Sequence, residues 1–499
     1  MSEALGHAFA AGSVSRQTSM LTINSTPVRA LLAITFFYPI VLCAIFFPTP
    51  TSDLREHINL GLSLPLYVWN NPPLQTWTAG LIALTGARDA WSFVLVAQIL
   101  NFIGLVKLVQ TAKRFISPEA AVPLVIMYCG SIFYSAATPT MALNADQIQV
   151  PIWAGCLYHA LSAARDNRWR DWLLTGVLIG AAFLAKYSSA VILAVMLAVA
   201  LWLPAYRGIF RNIRFYAAGI LAFAIMLVHL IPELLYANVL HYGVTKFDLT
   251  ATLANRARSV GHLLRSFLFY GFPMLIGLAI LARRGDISRP RMPHDPARQF
   301  IVLTAAGICI VMLLMIVIGG LRYSTRYTFA FYGLSLLALL SVISIEPRGL
   351  RDYANVTLMI WGGIVIGTLV YTQLVINRGL REPAHTAAPM VREAWDRQFS
   401  CGPAYVLGDY RTERAIAIYF GRPVLGVGLN DIDVPIWFDK DRLQRLGAIV
   451  ITSPDTLDFG KFDQWFLGRT LTTITLPYRR TLRTDQHTYQ YYFIAPQGC

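Results

Sequence analysis

Runs of about twenty apolar residues recur along most of this chain, and that recurrence limits its fold more than any other feature. A helix rises about 1.5 Å per residue, so a run of this length crosses the roughly 30 Å hydrocarbon core of a bilayer. About eleven spans are predicted, over residues 29–47, 90–110, 118–137, 146–164, 171–186, 187–204, 215–235, 262–282, 300–320, 327–345 and 355–375. The apolar stretch 171–204 is far too long for one crossing, and Lys186-Tyr187-Ser188-Ser189 is the polar break that divides it. Composition agrees: 56% of the 499 residues are hydrophobic and only 14% charged, against about 25% charged in soluble domains. The first thirty residues are polar and weakly basic, with no cleavage site behind a short apolar stretch. Val28 to Phe47 is therefore expected to stay as a span.

The formal net charge is +15, a balance that also occurs in nucleic-acid binders. Here the basic residues sit in short loops between spans, with no basic stripe interleaved with aromatics, so a nucleic-acid partner is rejected. Lys113 and Arg114 lie in one loop; Arg165, Arg168 and Arg170 in another; Arg207, Arg211 and Arg214 in a third. Arg283, Arg284, Arg289, Arg291 and Arg298 follow, then Arg348 and Arg351. These loops alternate with ones poorer in Lys and Arg, which makes the rich set cytoplasmic. The N-terminus is then inside. The segment 48–89, the start of the fourth span, the Lys186 break, the loop 236–261, the Arg322 region and the tail after 376 lie outside.

The predicted fold is mostly α: a polytopic membrane module, residues 1–375 with the outer loop 48–89, followed by a small soluble α/β domain, 376–499. The tail carries period-two apolar runs at Ala404–Leu407, Ala448–Thr452 and Thr488–Ile494, flanked by Gly, Pro and Asp. Glu413 to Phe420 reads as a helix ending at Gly421. Cys43, Cys129, Cys156 and Cys309 lie in apolar runs as packing residues. Cys401 and Cys499 either close the tail as a disulfide, if it faces an oxidising compartment, or are two free thiols.

The first outer loop is long for a connector, and such loops are usually functional. Asp53, Glu56 and His57 fall at i, i+3 and i+4, which places them on one helical face; the same spacing also describes a capping box from Asp53 to Glu56. Both halves of the loop read as amphipathic helices on the membrane. Asn70-Asn71-Pro72-Pro73-Leu74 precedes the second helix, with Trp77 inside it. Asp146, in Asn144-Ala-Asp146, is either an outward-facing carboxylate or the N-cap of the fourth span. Arg322 and Arg326, four apart, would share a helical face or snorkel to the interface. His229 and Glu233, also four apart near the outer end of the seventh span, could hold a divalent metal with a first-loop carboxylate; two ligands commit to none.

Taken in order, these motifs resemble the GT-C superfamily glycosyltransferases of the protein O-mannosyltransferase and aminoarabinose-transferase type. The resemblance rests on Asp53, the Asn-Asn-Pro-Pro-Leu segment with Trp77, Asn144-Ala-Asp146, Leu184-Ala-Lys186-Tyr187 and Arg326-Tyr327, and runs over the first 345 residues. Two departures stand out: Asp53 is followed by Leu54 where the family often has a second acid, and Asn71 stands where many relatives carry Lys or His. The resemblance implies a polyprenyl-phosphate-sugar donor and a lipid or glycan acceptor of the bacterial envelope, lipid A or the lipopolysaccharide core, with a protein acceptor still open. It also implies a bacterial inner membrane with the chemistry on the periplasmic side. Some relatives use a divalent metal and others none. Asp53, with Asp146 and Glu56 behind it, is the candidate general base. Lys186, Arg322, Arg326 and Tyr327 are candidates for the donor phosphate, since Arg and Lys neutralise phosphate through charge-assisted hydrogen bonds. His57, Asn70 and Asn71 would line the substrate loop. A transporter or flippase is the alternative; it would place broken helices and polar groups at mid-membrane in repeated halves, and no repeat is seen. An assembly protein whose outer domain recruits partners is a third reading, and would leave the acidic loop without a task.

Overall fold

The structure is a computed structural model and describes residues 22–66, 68, 72–134, 143–236, 247–374, 382–409, 411–422, 424–428, 438–454, 469–479 and 484–499. The helices are α1 (Thr26–Phe46), α2 (Ser52–Gly61), α3 (Leu74–Leu84), α4 (Ala90–Phe115), α5 (Ala121–Cys129), α6 (Ala145–Asp166), α7 (Trp169–Ala185), α8 (Ser189–Trp202), α9 (Ile213–Tyr236), α10 (Leu253–Leu268), α11 (Phe272–Arg283), α12 (Pro296–Val317), α13 (Phe329–Val342) and α14 (Pro347–Leu374). Helix therefore occurs at every expected span. Among the described residues six helices are long and apolar enough to cross a membrane, or up to eight if each of two bent pairs is one span. The shortfall from eleven has physical causes. α5 has nine residues, too few to cross. The expected span 262–282 is two helices, α10 and α11, bent by 63°. α6 is long enough but carries Asp146, Gln147, Gln149 and His159 inward, which lowers its hydropathy. The break at Lys186 stands where expected: α7 ends at Ala185, Lys186 is extended at φ −166°, and α8 starts at Ser189.

Outward faces carry large apolar side chains, as a lipid solvent requires: Phe37 and Ile45 on α1, Ile220 and Phe223 on α9, Met359 and Ile366 on α14. The arginine-rich loops gather at one end of the bundle. Arg114 pairs with Asp166 and Arg214 donates to the Asn167 carbonyl. Arg298 donates to the Ser341 carbonyl, and Arg348 pairs with Asp286. At the other end lie α2 and α3, the Lys186 break and the tail.

α2 and α3 cross so closely that a Cβ on Gly80 would sit 2.0 Å from the Gly61 carbonyl oxygen; only glycine fits on either side. Pro73 is the N-cap of α3, so the proline pair stands just ahead of that helix.

The tail packs α15 (Ala384–Asp396), α16 (Thr412–Tyr419) and α17 (Lys440–Leu446) on a five-stranded sheet of order β2-β1-β3-β5-β4. β1 (Tyr405–Gly408), β2 (Leu425–Gly428) and β3 (Ala448–Thr452) are parallel, while β5 (Thr484–Ile494) runs antiparallel to β3 and to β4 (Thr472–Arg479). The three predicted strands are the inner three. The two missed are the edges: β4 contains Pro477 and β2 two glycines, residues that weaken a strand signal and that edges tolerate. Gly421, with φ +81°, follows the end of α16, as its sequence suggests. Cys401 and Cys499 are joined in a disulfide across 98 positions.

Candidate functional site

At the end away from the arginine-rich loops, four separate parts of the chain bring charged groups together. Asp53 stands in the first turn of α2, whose N-cap is Thr51, so it is not a capping residue. Its Oδ2 accepts from Arg326 Nη1 at 2.7 Å. Arg326 lies on the short turn Thr325–Thr328 that leads into α13. Asp146 is likewise free of capping duty. Asn144 is the N-cap of α6, closing a capping box with Gln147, so the Asp146 side chain is left for Lys186, whose Nζ sits 2.7 and 2.8 Å from its two oxygens. Lys186 also lies 4.6 Å from the centre of the Tyr327 ring, a cation–π distance. Asp146 is within electrostatic reach of Arg326, so the two ion pairs form one cluster. They differ in access: the Asp53 and Arg326 side chains are 52% and 47% exposed, those of Asp146 and Lys186 6% and 18%. The outer pair can be parted by a ligand without stranding a buried charge; the inner pair cannot.

Beside the cluster, Tyr187 Oη lies 2.8 Å from His229 Nε2 and 3.0 Å from Glu233 Oε1. His229 Nδ1 donates to the Leu66 carbonyl at 3.0 Å, which leaves Nε2 of a neutral ring as an acceptor. No group of three His, Cys, Asp or Glu side chains that could hold a metal occurs among the described residues. His229 and Glu233 thus form a hydrogen-bonded trio with Tyr187 rather than a ligand set with a first-loop carboxylate.

Several expected members go elsewhere. Glu56 does not face the cluster: it is buried against Arg414 of the tail at 3.1 Å. His57 is buried with Nδ1 2.7 Å from Thr76 Oγ1, and burial pushes its imidazole below the usual histidine range. Asp53, Glu56 and His57 do lie along one side of α2, as their spacing predicts, but their side chains go to three different partners and only Asp53 joins the cluster. Arg322 and Arg326 share no helical face, because the residues between Leu321 and Ser324 are not helical. Arg322 instead makes an exposed 3.4 Å contact with Asp248. Tyr327 is at the cluster, whereas Asn70 and Asn71 lie outside the described residues. Sequence reasoning missed the residues that hold α2 to the tail. Arg55 is buried, 3.1 Å from Glu382, and donates to the Pro50 and Arg411 carbonyls; nothing local marks a pair 327 positions apart.

A sequence model of the dolichyl-phosphate-mannose-protein mannosyltransferase family matches residues 70–231, less than half of the chain. Among solved structures, ArnT from Cupriavidus metallidurans in the apo state superposes at TM-score 0.61 and 13% identity, over 93% of this chain and 97% of that one. At that identity the likeness is one of fold. The Archaeoglobus fulgidus oligosaccharyltransferase in the apo form reaches TM-score 0.42 at 11% identity, over 85% and 69% of the two chains, too low to argue from. A search of curated proteins finds no match. The chain has the GT-C glycosyltransferase fold that its loop motifs resemble.

Proposed function

We propose that this protein transfers a sugar, with inversion, from a polyprenyl-phosphate-linked donor to an envelope acceptor such as lipid A, the lipopolysaccharide core or a related glycan, at the periplasmic face of a bacterial inner membrane. The observation that carries the reading is the half-exposed Asp53 carboxylate held 2.7 Å from Arg326 beside the Asp146–Lys186 pair. The reaction needs these parts. An acceptor hydroxyl attacks the anomeric carbon, the bond from that carbon to the phosphate oxygen breaks, and the hydroxyl proton passes to a carboxylate. The departing phosphate needs charge neutralisation rather than a proton. In the free protein Arg326 is paired with Asp53. A donor phosphate, which gains negative charge as the bond to the sugar breaks, would draw Arg326 to itself by charge-assisted contact and release Asp53 to accept the proton. Lys186 supplies positive charge behind it while holding Asp146 in place. Glu56, buried on Arg414, serves as a positioning residue for α2 instead of a base.

The test is sugar transfer in nanodiscs, with a radiolabelled polyprenyl-phosphate-sugar pool as donor and total lipid and lipopolysaccharide extract as acceptor. Asp53→Asn is expected to lose roughly 10²–10⁴-fold, the usual contribution of a general base, with its thermal unfolding unchanged. Full activity in that variant would remove Asp53 from the role and move the search to Asp146. A folded wild type that binds polyprenyl phosphate yet transfers no sugar would favour the transporter reading.

A further inference from the structure

An apolar cavity lies at the opposite end of the bundle from Asp53. It encloses about 340 Å³ between α6, α7, α8 and α9, and its walls include Trp172, Met196, Tyr206, Ile209, Phe215 and Phe223. Its α6 wall runs from Cys156 to Ala164, ten to eighteen residues beyond Asp146 and so about 15–27 Å along the helix. It is therefore separate from the site above. Close-packed interiors rarely leave a void of this size, and an apolar lining gives water too few hydrogen-bond partners to fill it. The cavity has a wall on the lipid side: Phe223 is 53% exposed, and a Cβ added to Gly219, another wall residue, would meet nothing within 4 Å.

The rim is basic and interfacial. A turn helix, Pro204–Arg211, bends 108° away from α8. It gives Tyr206 and Ile209 to the cavity and leaves Arg207 and Arg211 exposed. Arg207 is steadied by the Leu201 and Trp202 carbonyls. Arg168 and Arg170 are exposed at the neighbouring turn from α6 to α7, where the acids are already engaged: Asp166 with Arg114 and Asp171 with His159. Trp202, at the end of α8, and Tyr216, in the first turn of α9, are both exposed, as suits aromatic rings at a membrane interface. A basic interface above an apolar slot is complementary to one molecule of the bilayer. We propose that the cavity takes an acyl chain of an anionic phospholipid from the leaflet on the arginine-rich side, with its headgroup phosphate on Arg207 and Arg211.

Native mass spectrometry of the full chain tests this, with delipidated protein titrated against phosphatidylglycerol and against phosphatidylethanolamine of the same chains. The wild type is expected to hold one phosphatidylglycerol at least tenfold more tightly than the zwitterionic lipid. Gly219→Phe, which fills the cavity, should abolish that one site, and the double variant Arg207→Gln with Arg211→Gln should erase the headgroup preference while leaving the cavity intact. Both variants keep the Asp53 cluster, so sugar transfer reports on their folding. Equal binding of the two lipids by the wild type would overturn the proposal. So would a preference unchanged in both variants, or native protein that carries polyprenyl phosphate at the site displaced by Gly219→Phe.

Discussion

Asp146 and Lys186 are 40 positions apart and meet at 2.7 Å in a nearly closed site. A buried charge that loses its partner is costly, about 3–5 kcal/mol, whereas removing both partners costs far less. Lys186→Met should therefore lower thermal stability sharply. Adding Asp146→Asn to it should restore most of the loss, as read by unfolding in detergent, while sugar transfer stays low in the double variant. A double variant as unstable as the single one would mean that Lys186 acts through packing on Tyr327 and not through its charge. Asp53 and Arg326 differ because both are about half exposed. Solvent screens such a pair, which contributes little to stability, so Asp53→Asn is a probe of chemistry and Lys186→Met a probe of construction.

At the scale of the element, α2 decides where Asp53 stands. Successive residues on a helix point about 100° apart, and α2 uses this fully: Asp53 goes to Arg326, Arg55 to Glu382, Glu56 to Arg414 and His57 to Thr76. Two of these are buried ion pairs with the tail, so the tail holds the helix that carries the candidate base. Glu413 lies under this junction, fully buried, 3.4 Å from Arg414. Burial pushes its carboxyl well above the usual range, with Arg414 opposing. The folded chain then binds this proton more tightly than the unfolded chain, so stability falls as pH rises from the unfolded value of about 4.3 through the folded one. Glu413→Gln should flatten the fall in unfolding temperature as the pH rises above about 4.3. Burial of His57, which acts in the opposite direction, is common to both proteins and cancels in the difference. Parallel curves would show that Glu413 does not titrate across the transition.

For the whole molecule, the tail docks on α2 and on its flanks at Thr49 and Arg88, and it is closed by Cys401–Cys499. A cross-link spanning about 100 residues removes up to about 4.7 kcal/mol of chain entropy from the unfolded state. Replacing both cysteines by serine is expected to make the tail at least tenfold more sensitive to limited proteolysis while the membrane module keeps its unfolding temperature. Equal resistance would show that the core around Trp395 holds the domain by itself. Much of this architecture was legible along the chain. Span length and hydropathy depend on neighbours in sequence, so the break at Lys186, the arginine-rich end and the strand at Ala448–Thr452 could all be read before any folding. Capping could not be told from chemistry at Asp53 and Asp146, because one spacing serves both; Thr51 and Asn144 hold the cap positions and leave the two carboxylates to Arg326 and Lys186. The partners themselves lay further out of reach. Asp53 and Arg326 are 273 positions apart and Glu56 and Arg414 358. Apolar helices in lipid have no hydrophobic drive to choose one neighbour over another. Small-residue contacts such as Gly176 of α7 against Ala218 of α9, and ion pairs such as Asp146–Lys186, make that choice, and both exist only once the helices have packed.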